Sequence, residues 1–185
     1  MKKLLLIVAV LVSSLVMNLN AEIYGKQNYV SINPFSLLFN IFSGEYGRFL
    51  DTQGKTEVNI PVYFFNYDSF SGFGIGGKYR MYKDKNGEGI FYGGGLRFSS
   101  ISWEYHFYEE SNRKSDDISY IAFTPMGEAG YRWTWDNGWT ISPSVELGYS
   151  ISSFDDGDIK GGISADSDTE SRLFYTINLG VSYMF

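Results

Sequence analysis

From Leu173 to Phe185 the chain alternates without a break. Leu173, Tyr175, Ile177, Leu179, Val181, Tyr183 and Phe185 fall on one side, and Phe174, Thr176, Asn178, Gly180, Ser182 and Met184 on the other. A period of two is the mark of a strand with one apolar face. Working back along the chain, the same signature recurs between turn-like clusters. Segment 138–152 carries Trp139, Ile141, Pro143, Val145, Leu147, Tyr149 and Ile151 on one face, with Thr, Ser, Glu and Gly on the other. Segment 118–135 has Ile121, Phe123, Pro125, Ala129, Tyr131, Trp133 and Trp135 outward, and Glu128, Gly130, Arg132 and Thr134 inward. Segments 88–106, 72–83 and 56–66 follow, and upstream lie Tyr29 to Asn33 and Ile41 to Leu50, as one long strand or two. In 88–106 the phase slips: Leu96 and Phe98 are even, Ile101, Trp103 and Tyr105 odd, which predicts a bulge at Ser99–Ser100.

The connections settle the count. Asp51-Thr52-Gln53-Gly54, Lys85-Asn86-Gly87-Glu88 and Asp136-Asn137-Gly138 are short, whereas 107–117 and 153–170 are long. Bacterial single-chain barrels have even strand numbers, short periplasmic turns and long external loops. Two strands within 29–50 satisfy that parity. The expected fold is therefore all-β, an eight-stranded antiparallel up-and-down transmembrane β-barrel.

The two ends bear on the compartment. Lys2 and Lys3, an apolar run from Leu4 to Val16 and small Ala21 read as a signal peptide over 1–21, with the barrel domain over 22–185. The apolar run is too short to span a bilayer, which takes about 20 residues. No later stretch is long and apolar enough either, so a membrane location requires a closed barrel. The final strand, ending on Phe185, resembles the C-terminal signal of outer-membrane barrels. That resemblance implies the barrel assembly machinery as a partner and outer-membrane lipid as the surroundings. A soluble lipocalin-type barrel would reverse the faces, but charges confined to one face and the terminal Phe favour the outer membrane of a Gram-negative bacterium.

Composition agrees. Aromatics make up 18% of the chain, with 15 Tyr, 15 Phe and 21 Gly, which suits aromatic girdles around small interior residues. The formal charge of −6 moves to −8 once Lys2 and Lys3 leave with the signal. So acidic a chain is a poor partner for nucleic acid. Without cysteine there is neither a disulfide nor a lipid-acylation site.

The stretch Asn33-Pro34-Phe35-Ser36-Leu37-Leu38-Phe39, followed by Ser43-x-Glu45-Tyr46-x-Arg48-x-Leu50, resembles the opening of a family of small outer-membrane β-barrel proteins. The general architecture is similar to the OmpA/OmpX type. The resemblance implies a fold and a location, and brings no catalytic residue with it.

Candidate chemistry is sparse. Glu45, Glu57, Lys78, Arg80, Arg97, Glu128, Arg132 and Glu146 all fall on inward positions. An eight-stranded barrel is just wide enough for side chains to fill, so four acids and four bases there have to pair. Glu128 and Arg132 lie about 13–14 Å apart along their strand. Each therefore needs a partner elsewhere: Arg97 or Lys78 for Glu128, Glu146 or Glu45 for Arg132. A closed, salt-bridged lumen with a structural or surface-interaction role is the leading reading, and a narrow channel is an alternative. His106 is the single histidine, which leaves no multi-histidine metal site. With Glu104 it could serve a serine hydrolase acting on lipid, a further alternative, though its position suits the rim of a strand. The stretch from Asp155 to Glu170 holds six acids and one lysine, with no calcium-loop spacing. It and 107–117 read as solvated loops able to meet an extracellular ligand. No metal or cofactor is expected.

Overall fold

The computed structural model describes residues 26–67, 70–109, 112–155 and 170–185. Their side chains are described too, except at 104–109, 112–119, 153–155 and 170. The expected signal peptide lies outside the described residues. Eight antiparallel strands close on themselves in chain order. They are β1 (Asn28–Ile32), β2 (Ile41–Phe49), β3 (Thr56–Tyr67), β4 (Phe70–Tyr82), β5 (Gly89–Glu109), β6 (Asn112–Thr134), β7 (Trp139–Asp155) and β8 (Glu170–Met184). The seam is made by β1 and β8, with Tyr29 opposite Met184 and Ile32 opposite Val181. Backbone bonds from Asn28 N to Phe185 O (3.0 Å) and from Phe185 N to Asn28 O (2.8 Å) finish it.

Three short turns lie at the end of the barrel where Asn28 meets Phe185. Asn86 and Gly87 carry φ of 63° and 62°, the two left-handed positions that a two-residue hairpin turn requires. Asp51 organises another turn by accepting from the backbone N–H of Gln53, Lys55 and Thr56. At the opposite end a short helix, α1 (Pro34–Leu37), joins β1 to β2. Pro34 has no N–H to give to a ladder, and the Asn33 side chain accepts from Phe35 N at 3.0 Å. The strand therefore stops at Ile32.

The outer surface is an apolar band. Ile75, Phe73, Leu96, Phe98, Ile121, Phe123, Val145 and Leu147 are all exposed, with Trp133, Trp135 and Trp139 at the short-turn end. The inner face holds the buried charges. Amphiphilic strands that bury charge and display Leu, Ile and Phe are stable only when lipid replaces water outside.

Two expectations are corrected. No bulge occurs at Ser99–Ser100: pairing of β5 with β4 runs in constant register from Phe70↔Trp103 to Tyr82↔Phe91, and with β6 from Gly89↔Arg132 to Glu109↔Asn112. The change of phase has another cause, a change of interior chemistry. Toward the end away from the short turns, where β5 and β6 form the longest hairpin, the lumen itself turns aromatic, with Phe65 against Phe70 at 4.8 Å, Phe70 against Trp103 at 5.3 Å and Trp103 against Tyr120 at 5.8 Å. Second, most of 107–117 is strand and not loop, because β5 and β6 stay paired out to Glu109↔Asn112. The ladder goes on supplying hydrogen bonds where neither face needs to be apolar. Residues 156–169 of the 153–170 connection lie outside the described residues.

Candidate functional site

Six strands carry the interior charges into one cluster. Glu45 comes from β2, Glu57 from β3, Lys78 and Arg80 from β4, Arg97 from β5, Glu128 and Arg132 from β6, and Glu146 from β7. Lys78 and Arg80 occupy consecutive inward positions, so two cationic stems run side by side across the lumen. Lys78 Nζ reaches Glu146 at 2.8 Å, Glu128 at 3.0 Å and Glu45 at 3.1 Å. Arg80 reaches Glu45 and Glu128 at 2.7 Å each and Glu57 at 2.9 Å. Both Glu128 oxygens receive an Arg80 N–H, from Nε and Nη2, which is the bidentate fork that fixes both groups. Arg132 pairs with Glu57 at 3.0 Å, and Arg97 with Glu146.

The eight charges sum to zero and form a connected set. Neutral partners complete it. Tyr29 lies within hydrogen-bond distance of Glu45 (2.7 Å) and Glu57 (2.8 Å) and accepts from Arg80. Ser144 donates to Glu128, Asn59 to Glu57, and Arg132 Nε to Ser142. Such completeness matters, since a buried pair returns its desolvation cost only when geometry is good and leftover donors are used.

Of the two partners expected for Glu128, Lys78 meets it, whereas Arg97 pairs with Glu146. The expectation for Arg132 is corrected: it meets Glu57, and neither Glu146 nor Glu45. Strands in a barrel tilt by about 35–45°, so groups level across the lumen come from distant registers, which position along one strand does not disclose.

Toward the short-turn end the network rests on an aromatic floor of Tyr29, Phe49, Tyr82, Phe91 and Met184, all buried. The Arg132 guanidinium stands 4.5 Å from the Tyr29 ring centroid and 5.0 Å from that of Tyr82. Arg80 stands 5.1 Å from that of Phe91. Tyr29, Tyr82 and Phe91 were not evident as interior residues from alternation alone. A signal existed: Gly47 faces Tyr29 in register, and a Cβ there would lie 2.1 Å from its ring. The remaining space beside the charges is about 60 Å³.

Glu104 and His106 stand on β5 opposite Asp117 and Ser115 in the ladder; their side chains lie outside those described. Among the described residues no group of His, Asp and Glu is arranged to hold a metal.

An apolar exterior around a charged, filled interior defines an outer-membrane β-barrel. The autotransporter beta-domain family matches residues 65–185, and the chain belongs to that family. Its location is the bacterial outer membrane. The matched residues begin in β3, so the Asn33–Leu50 motif lies before them. The crystal structure of the beta domain of the Bordetella autotransporter BrkA is similar at 14% identity, with a TM-score of 0.46 over 84% of this chain and 69% of that one. None of the curated proteins compared matches.

Proposed function

We propose that this protein is a closed, non-conducting barrel whose role is to present its hairpin end outside the cell. The observation that carries this reading is the neutral, fully cross-linked set of four acids and four bases that fills the bore above an aromatic floor. An ion crossing the lumen would have to break several charge-assisted bonds at once. The buried aromatic floor beneath the network supports the same reading.

The hairpin of β5 and β6 and the acidic 153–170 connection then form the external surface, available to a ligand, while the Phe185 strand serves recognition by the assembly machinery. The test is conductance of the refolded mature chain in planar bilayers. The expected result is silence, without stable unitary steps, in 1 M salt at either polarity. Discrete, reproducible openings would replace this reading with the narrow channel.

A further inference from the structure

The barrel wall is incomplete on one side. β1 has 5 residues and β8 has 15, and their pairing ends at Ile32↔Val181. From Gly180 to Glu170, β8 has a strand neighbour only in β7. Its outward residues Leu173, Tyr175 and Ile177 are 74%, 73% and 72% exposed, against 57% for Leu147 and 50% for Tyr149 on β7. α1 stands where β1 would have continued. A side-chain bond links that turn to β8, from Asn33 Nδ2 to Asn178 Oδ1 at 3.2 Å.

Between α1 and β8 this leaves a notch of about 310 Å³ that opens through the wall. Its outer part is apolar, lined by Phe35, Phe39, Ile41 and Ile177, and its inner end is Arg97. The Arg97 guanidinium is braced 4.9 Å from the Phe174 ring and 5.7 Å from that of Tyr63. Among the four interior cations it is the least enclosed, at 12% side-chain exposure against 1–5% for Lys78, Arg80 and Arg132. Among the described residues its one acidic partner, Glu146, is shared with Lys78.

We infer that this notch is a binding site for a long-chain fatty acid, entering sideways from the membrane with its carboxylate on Arg97 and its chain along α1 and β8. The chemistry fits at both ends. A carboxylate takes two N–H bonds from a guanidinium, and an acyl chain covers the exposed apolar side chains of α1 and β8. The volume lies at the small end of ligand pockets, which suits one chain better than the glycerol and paired chains of a phospholipid. The site needs no open bore, so it is independent of the closed-lumen reading: its failure would appear in binding and not in conductance.

The experiment uses the refolded mature chain in phosphatidylcholine nanodiscs, with cis-parinaric acid as the fluorescent probe. Saturable enhancement is expected, displaced by palmitate. Methyl palmitate, which keeps the chain and lacks the charge, should displace at least about ten-fold more weakly, as should befit one lost charge-assisted interaction. Arg97→Gln should weaken the probe by about ten-fold, with Arg97→Lys recovering part, in barrels that remain heat-modifiable on gels. Should Arg97→Gln not fold, Ser43→Phe keeps all eight charged side chains, fills the notch from β2 and should abolish binding. Equal displacement by palmitate and its ester, undiminished binding in Arg97→Gln or Ser43→Phe, or stronger displacement by dilauroyl phosphatidic acid than by palmitate would each overturn the assignment.

Discussion

Arg80→Met is expected to destabilise the barrel by about 3–5 kcal/mol, the range for removing one partner of a buried ion pair. Arg80 is bonded to Glu45, Glu57 and Glu128 together, and it donates to the Tyr29 hydroxyl as well. Without it, four carboxylates share Lys78, Arg97 and Arg132, and the buried cluster carries a net negative charge. Methionine keeps an aliphatic stem, so the change removes chiefly the guanidinium, including its place 5.1 Å from the Phe91 ring centroid. The measurement is urea unfolding of the refolded protein in lipid vesicles, followed by tryptophan fluorescence and by heat-modifiability. Adding Glu128→Gln should recover part of the loss, because it removes one of the acids left unpaired. An unchanged unfolding midpoint in Arg80→Met would mean that water solvates the interior, and the closed-lumen reading would fall with it.

The parts of this fold that the sequence disclosed are those that lipid constrains. A strand crossing a membrane must be apolar on one face, so β7, β8 and the core of β6 declare themselves by strict alternation, and the charged positions follow as the opposite face. Beyond the membrane that constraint lapses. Around Glu104 and Lys114 the sequence is rich in polar residues while the ladder continues, so the stretch reads as a loop. Near Trp103 and Phe70 the interior turns aromatic, and an unbroken strand imitates a bulge. Partner choice in the charge network was legible only where tilt mattered little. Lys78 and Glu128 lie two strands apart on the wall, whereas Arg132 and Glu57 face each other from β6 and β3, where the shear of the barrel decides which residues stand level. The notch beside α1 was written in Pro34, yet its meaning depends on β8 running past it, a relation between the two ends of the chain.

Gly95→Ala should cost about 1–3 kcal/mol, the usual penalty for overpacking, and should loosen the network besides. The run Gly93-Gly94-Gly95 looks like a weak point in a strand, since glycine there is entropically unfavourable. Its use becomes clear from what lies against it. A Cβ on Gly95 would stand 2.2 Å from the Gly77 carbonyl oxygen and 2.8 Å from both Cα and Cγ of Lys78. One on Gly93 would stand 2.2 Å from the Tyr79 carbonyl oxygen and 3.1 Å from Arg80 Cγ. The bare backbone of β5 is thus the surface against which the stems of Lys78 and Arg80 begin their path into the lumen. Backbone atoms cannot rotate aside as a flexible side chain can, so the added methyl must push β4 and β5 apart and lengthen the ion pairs. Gly77→Ala is the control, because a Cβ there meets nothing within 4 Å. It should be neutral or slightly stabilising, by about 0.4–1 kcal/mol through the unfolded chain. The same urea midpoints compare the two variants, and Gly95→Ala matching Gly77→Ala would show that the cationic stems do not rest on β5.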